Sequence, residues 1–327
     1  MDNSKRIHLW DNLKCFLILF VVVGHFVELY TTKSSLFKGI FLFIYSFHMP
    51  LFIFISGYFH KNRDIAKKVY FYISVGCLSK FLFFLEDFFL GWKPRLDFFT
   101  EPGLPWFMFL LGVFIGIAYL LRDVNRKYVL AISLLIGCMV GYDNKIQDFM
   151  VLSRIFVYFP FYIAGIFVRE NYQERFSEII SGKKSFIISA LIILAWLAAC
   201  VLLIKHIYFL RPFFTGRNPY PMALYYKGAA IRMLCYFITS VVSCAFICIT
   251  PKVNLKFVTE CGRTTLQIYF WHYVVLKLLL LYPILRLCSS TGGKFVYLLI
   301  AVLLTFILST RAFGFPVRIM KKYCLET

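Results

Sequence analysis

Charge is scarce in this sequence, and negative charge scarcest: 16% of the 327 residues are charged, 16 of them Asp or Glu against 36 Lys or Arg. A soluble domain carries nearer ~25% charge, so water is not the chain's main solvent. The ten Cys are scattered through apolar runs without a Cys-x-x-Cys or a tight cluster, which argues against a disulfide framework and against a zinc site. Internal repeats and low-complexity tracts are lacking too, so the paired broken helices of many secondary transporters are not evident. The first apolar run follows basic residues but has no small-residue cleavage site before Glu28, and reads as a permanent span rather than a removed leader.

What is there is apolar. Hydrophobic residues make up 61% of the chain, 39 of them Phe, and the mean hydropathy is +0.76. A helix needs about 20 apolar residues to cross a hydrocarbon layer about 30 Å thick. Apolar runs at 13–30, 36–59, 69–90, 104–121, 128–142, 151–168, 185–204, 229–250, 264–283 and 294–310 predict an all-α membrane protein, a single integral domain of about ten transmembrane helices with short loops. No room is left for a sizeable soluble domain, so the active site is expected among the spans.

The net charge of +20 sits mainly in short loops, as the orientation rule for cytoplasmic loops requires. Lys61–Lys68, Arg122–Lys127, Arg169–Lys184, Lys252–Arg263 and both termini fall on one side and are richer in Lys and Arg than the opposite loops. That places both termini in the cytoplasm and makes the bilayer, not nucleic acid, the partner of the basic excess. Two outer connections, Glu86–Pro105 and His206–Ala229, are long, which in a compact membrane protein means either function or a cap on the bundle.

Ionisable groups inside a bilayer are costly and usually face a cavity or a partner. In the first span Lys14 and His25 are separated by almost three helical turns, about 16 Å at 1.5 Å per residue, and share one face. Asp11 stands one turn before Lys14 and Glu28 one turn beyond His25, so four ionisable side chains form one stripe. Lys14 alone also fits a snorkelling anchor. A second His, His48, lies beside the helix-breaking Pro50, and a third, His272, falls in the ninth span after Gln267, Tyr269 and Trp271. Each His can be a structural hydrogen-bonding group; together they suggest one polar cavity or a proton relay. No metal site is expected, because no carboxylate or Cys accompanies them at ligand spacing. Arg154 and Arg232 head the sixth and eighth spans at the outer side, as anchors or as grips for an anionic acceptor.

Asp11-Asn12-Leu13-Lys14, His25 and the run from Phe47-His48-Met49-Pro50 to Ser56-Gly57-Tyr58 resemble the acyltransferase-3 family. Pro105-Trp106-Phe107, Phe159 to Gly165, and Gly262-Arg263-Thr264-Thr265 through His272 add to the resemblance, which covers essentially the whole chain. It implies a ten-span enzyme of the bacterial cytoplasmic membrane with no permanently bound cofactor. Such an enzyme moves an acyl group, commonly acetyl, from cytoplasmic acyl-CoA to a hydroxyl of an extracytoplasmic glycan or lipid-linked saccharide. It further implies His25 as the catalytic residue, with His48 or His272 supplying an oxyanion donor, and Lys14 as the basic residue facing the donor. Many members have Arg at that position, whereas relatives similar to fucose 4-O-acetylase have Lys. The cytoplasmic loop with Lys61, Arg63, Lys67 and Lys68 stands where the family often shows Arg-x-x-Arg, implying donor binding, while Asp11, Glu28, Arg154 and Arg232 are candidates for substrate contact. The rival reading of the same residues is a proton-coupled transporter or flippase whose His residues titrate.

Overall fold

The computed structural model describes residues 8–97, 99–101, 103–180, 182–217 and 219–326. Its α-helices are α1 (His8–Glu28), α2 (Ser35–Tyr45), α3 (His48–Tyr58), α4 (Ile65–Phe89), α5 (Trp106–Leu120), α6 (Arg126–Met139), α7 (Leu152–Ile179) and α8 (Lys183–Leu202). They continue with the short α9 (Ile204–Ile207) and α10 (Arg211–Thr215), then α11 (Gly228–Ile249), α12 (Lys256–Arg263), α13 (Thr265–Leu279), α14 (Thr291–Leu308) and α15 (Val317–Lys321). Among the described residues there is no strand, and seven helical stretches are long and apolar enough to cross a membrane. The protein is therefore an all-α membrane protein. A hydrocarbon layer leaves backbone N–H and C=O groups no partner but their own helix, which is why so apolar a chain folds this way.

Helix starts follow local chemistry. The Ser34 hydroxyl accepts from the Phe37 N–H and opens α2; the Ser290 hydroxyl accepts from the Gly293 N–H and opens α14. The second apolar run is broken, but at Ser46–Phe47 rather than at Pro50. Pro50 occupies the first turn of α3, where its missing N–H costs no helical bond. The Ser46 carbonyl, four residues earlier, accepts instead from the Thr239 hydroxyl at 2.6 Å, and the Ser46 hydroxyl accepts from Trp196 Nε1 at 2.9 Å.

The chain forms two compact units. The first comprises residues up to Phe52, Glu174–Phe209 and Ile238–Phe315. In it α1 packs against α2, α12, α13 and α14, and α2 packs against α8. Phe43, Phe47, Phe20 and Phe246 stack in its core, Phe47 on Phe246 with ring centroids 4.3 Å apart. Polar residues of α13 have structural work: Gln267 donates to the carbonyls of Leu308 and Thr310, and Trp271 to those of Phe313 and Phe315.

The second unit comprises Ile53–Gln173, Leu210–Phe237 and the residues from Pro316. Here α4 and α5 pair, and the last turns of α3 meet α7 backbone to backbone. A Cβ on Gly57 would overlap the Tyr162 carbonyl, and one on Gly165 the Phe54 carbonyl, so this crossing needs small residues on both helices.

Candidate active site

The four ionisable residues of the α1 stripe divide into two stations within the first unit. At the N-terminal station Asp11, 3% exposed, accepts an ion pair from Lys14 at 2.9 Å and another from Arg263 Nε at 3.4 Å. Asn12 donates to the carbonyls of Pro251 and Val253 and accepts from the Thr259 hydroxyl. Gly262 lies so close to the Asp11 backbone that any side chain would collide with its carbonyl. Asp11 and Asn12 therefore bind α1 to α12, while Lys14 and Arg263 keep partly exposed ammonium and guanidinium groups beside one shared carboxylate. Sequence reasoning quoted Arg263 only within a motif; its approach to Asp11 depends on a contact 252 residues distant along the chain.

At the other station His25 and Glu28 are neighbours on one helical face, with His25 Nδ1 3.4 Å from Glu28 Oε2. The Tyr45 hydroxyl donates to the same carboxylate oxygen at 3.2 Å. The His272 ring lies beside His25 with centroids 5.5 Å apart, and Tyr273 stands edge-on to His25 at 5.5 Å. His48 packs against Tyr45 at 5.0 Å. Histidines from α1, α3 and α13 are thus linked, His25 lying against His272 on one side and against Tyr45, which also meets His48, on the other, a grouping the sequence suggested as one polar cavity and only packing produces. Tyr45 and Tyr273 carried no sequence signal, since 21 Tyr are spread along the chain.

Hydrogen bonds decide the tautomers. His272 Nδ1 lies 3.0 and 2.8 Å from the carbonyls of Ile268 and Tyr269, and His48 Nδ1 lies 2.7 Å from the Ile44 carbonyl. A carbonyl only accepts, so Nδ1 carries the proton in both rings and, in the neutral form, Nε2 is a lone-pair acceptor. The oxyanion-donor role expected for these two residues would need the imidazolium form; neutral, they are suited to accept a hydroxyl hydrogen. His272 Nε2 is buried and has no hydrogen-bond partner among the described residues, as if reserved for one.

The remaining candidates belong to the second unit. Lys61, Arg63, Lys67 and Lys68 lie on the loop before α4 and its first turn; Lys68 Nζ donates to the carbonyls of Lys61 and Arg63. Lys61 and Lys68 border a cavity of about 250 Å³ whose walls include His60, Tyr72, Leu111, Ile115, Tyr162 and Leu325. His60 bridges the Tyr162 hydroxyl (2.9 Å) and Asn62 Oδ1 (2.8 Å). Burial holds its pKa below the ordinary value and Lys68 and Arg126 push the same way, while Asn62 opposes. Arg154 stacks on Trp106, donates to the Glu101 carbonyl and pairs with Asp148, which also binds Arg217. Arg232 is 0% exposed and donates through Nη1 to the Phe213 carbonyl. Among the described residues no three His, Cys, Asp or Glu side chains gather as metal ligands.

An imidazole whose Nδ1 faces a carboxylate is equipped for general-base chemistry on a hydroxyl. No curated protein and no solved structure matches the chain. The family model for the acyltransferase-3 group, described as an acyltransferase domain, matches residues 7–313. With that match over nearly its whole length, the chain belongs to the acyltransferase-3 family of membrane acyltransferases.

Proposed function

We propose that the protein transfers an acetyl group from cytoplasmic acetyl-CoA to a hydroxyl of an extracytoplasmic glycan or lipid-linked saccharide, in the cytoplasmic membrane of a bacterium. The observation that carries this reading is the His25 imidazole set against Glu28 with His272 at its side. Glu28 accepts from Nδ1–H and holds the tautomer in which Nε2 is the base. Nε2 takes the proton of the acceptor hydroxyl as its oxygen attacks the thioester carbonyl. The C–S bond then breaks and the departing CoA sulfur recovers the proton from His25, so that acetyl ester and free thiol are the products. His272 and His48 accept from hydroxyls of the acceptor and orient them. Lys14, with Arg263 beside it, is assigned to the phosphates of the donor.

The test is incubation of the purified protein with acetyl-labelled CoA ester and a panel of bacterial glycans. Label should pass to a glycan as a base-labile ester in the wild type and not in His25→Ala. A thioester left intact under every condition would favour the transport reading of the same histidines.

A further inference from the structure

Among the described residues four cations of the second unit are buried, and three have a carboxylate partner: Lys80 pairs with Glu101, Arg126 with Glu170 and Arg154 with Asp148. Arg232 has none among the described residues. Its side chain is fully buried, Nη1 meets the Phe213 carbonyl, and Nε and Nη2 are both without a hydrogen-bond partner. Those two nitrogens form one edge of the guanidinium, with parallel N–H groups spaced to grip both oxygens of a carboxylate or phosphate. Leaving such an edge empty in a buried setting is costly, and an arriving oxyanion would offset that cost.

The surroundings indicate what carries the oxyanion. Arg232 lies over the Tyr220 ring at 5.5 Å. Tyr220 stacks with Phe213 at 5.1 Å and meets Tyr142 edge-on at 4.9 Å; Tyr142 meets Tyr225 at 4.9 Å, and Tyr225 leads to the almost fully exposed Tyr226. Burial raises the Tyr220 pKa although the adjacent Arg232 pulls it down, and its hydroxyl donates to the Cys138 carbonyl, so Tyr220 stays a neutral neighbour and no anionic partner for Arg232. A run of rings from the surface to a cation offers faces for the C–H groups of a sugar and a fork for its charge.

We infer that Arg232 and this run of aromatic rings form a binding site for an acidic saccharide, whose carboxylate engages the Nε–Nη2 edge. That the bound sugar is the acceptor of transfer rests on the acetyl transfer proposed above; the site itself does not, and its test reads binding without donor or turnover.

The purified full chain is titrated calorimetrically with glucuronate, glucose, glycerol phosphate and inorganic phosphate. Glucuronate should bind about tenfold or more tighter than glucose and tighter than either phosphate. Arg232→Lys, which keeps the charge and loses the fork, should weaken glucuronate about tenfold. Tyr225→Ala should weaken glucuronate and leave inorganic phosphate unchanged. Equal binding of glucose and glucuronate, or undiminished binding to a folded Arg232→Lys, overturns the site. Tighter binding of glycerol phosphate or inorganic phosphate overturns the saccharide assignment in favour of a lipid headgroup or a simple anion. The wild-type comparison and Tyr225→Ala decide the matter even where Arg232→Lys does not fold.

Discussion

One turn of helix separates His25 from Glu28, and that spacing sets the imidazole Nδ1 3.4 Å from a Glu28 carboxylate oxygen. Removing the base in His25→Ala should lower kcat about 10²- to 10⁴-fold with the donor KM little changed. Glu28→Gln keeps the shape but not the charge, and should cost less than His25→Ala. Loss of donor binding in a folded His25→Ala would remove His25 from the chemistry. With Lys14 assigned to donor binding through its charge, Lys14→Ala should raise the acetyl-CoA KM and Lys14→Arg should restore it. An unchanged KM in Lys14→Ala would return Lys14 to the α1–α12 junction, where Asp11 already holds it.

At the scale of elements, the junction between α2 and α3 rests on a single exchange: Pro50 cannot donate to the Ser46 carbonyl, and Thr239 of α11 does so in its place. Thr239→Val would strand that buried carbonyl and should lower unfolding stability by about 1–3 kcal/mol, read by thermal or denaturant unfolding in detergent. Gly262→Ala, which forces a methyl into the α1–α12 contact, should cost a similar ~1–3 kcal/mol; a neutral result would mean that the helices separate freely. The loop between α3 and α4 adds a pH dependence through His60. Its folded pKa is depressed, so between the folded and unfolded values the unfolded chain binds more protons. Its contribution is therefore complete above about pH 6.5 and is lost as the pH falls from there through the folded value. Stability measured from pH 7.5 to 5 should fall less steeply in His60→Gln than in the wild type.

For the whole molecule, orientation follows from where Lys and Arg gather. A cysteine placed at position 64 should be modified only from the cytoplasmic side, and one at 223, in the segment 211–226, only from outside. External labelling at 64 in intact cells would invert the topology and leave Lys61–Lys68 on the side away from acyl-CoA. The native Cys77, Cys244 and Cys324, which are not buried among protein atoms, would be replaced first.

The class of the protein was settled by composition. With 16% charge and 61% apolar residues in continuous runs of about 20, too long for barrel strands, the backbone satisfies itself within lipid as helices, and no packing detail alters that. The α1 stripe was legible for the same reason, because Asp11, Lys14, His25 and Glu28 are related by helical geometry alone. Tertiary structure decided what those residues face. His272 reaches His25 from 247 positions away, Tyr45 reaches Glu28 across a turn, and the roles of the two other histidines turn on which carbonyls their Nδ1 atoms meet. The break at Ser46 and the harmless place of Pro50 were likewise undecidable from periodicity, since a proline interrupts a helix interior and suits a helix start equally well. Arg232 shows the limit most plainly: its sequence position suggested either an anchor or a grip, and only the packing around it leaves one whole edge of the guanidinium buried and unpartnered. Local geometry travels with the chain, whereas partners arrive from distant segments through packing that a single sequence does not spell out.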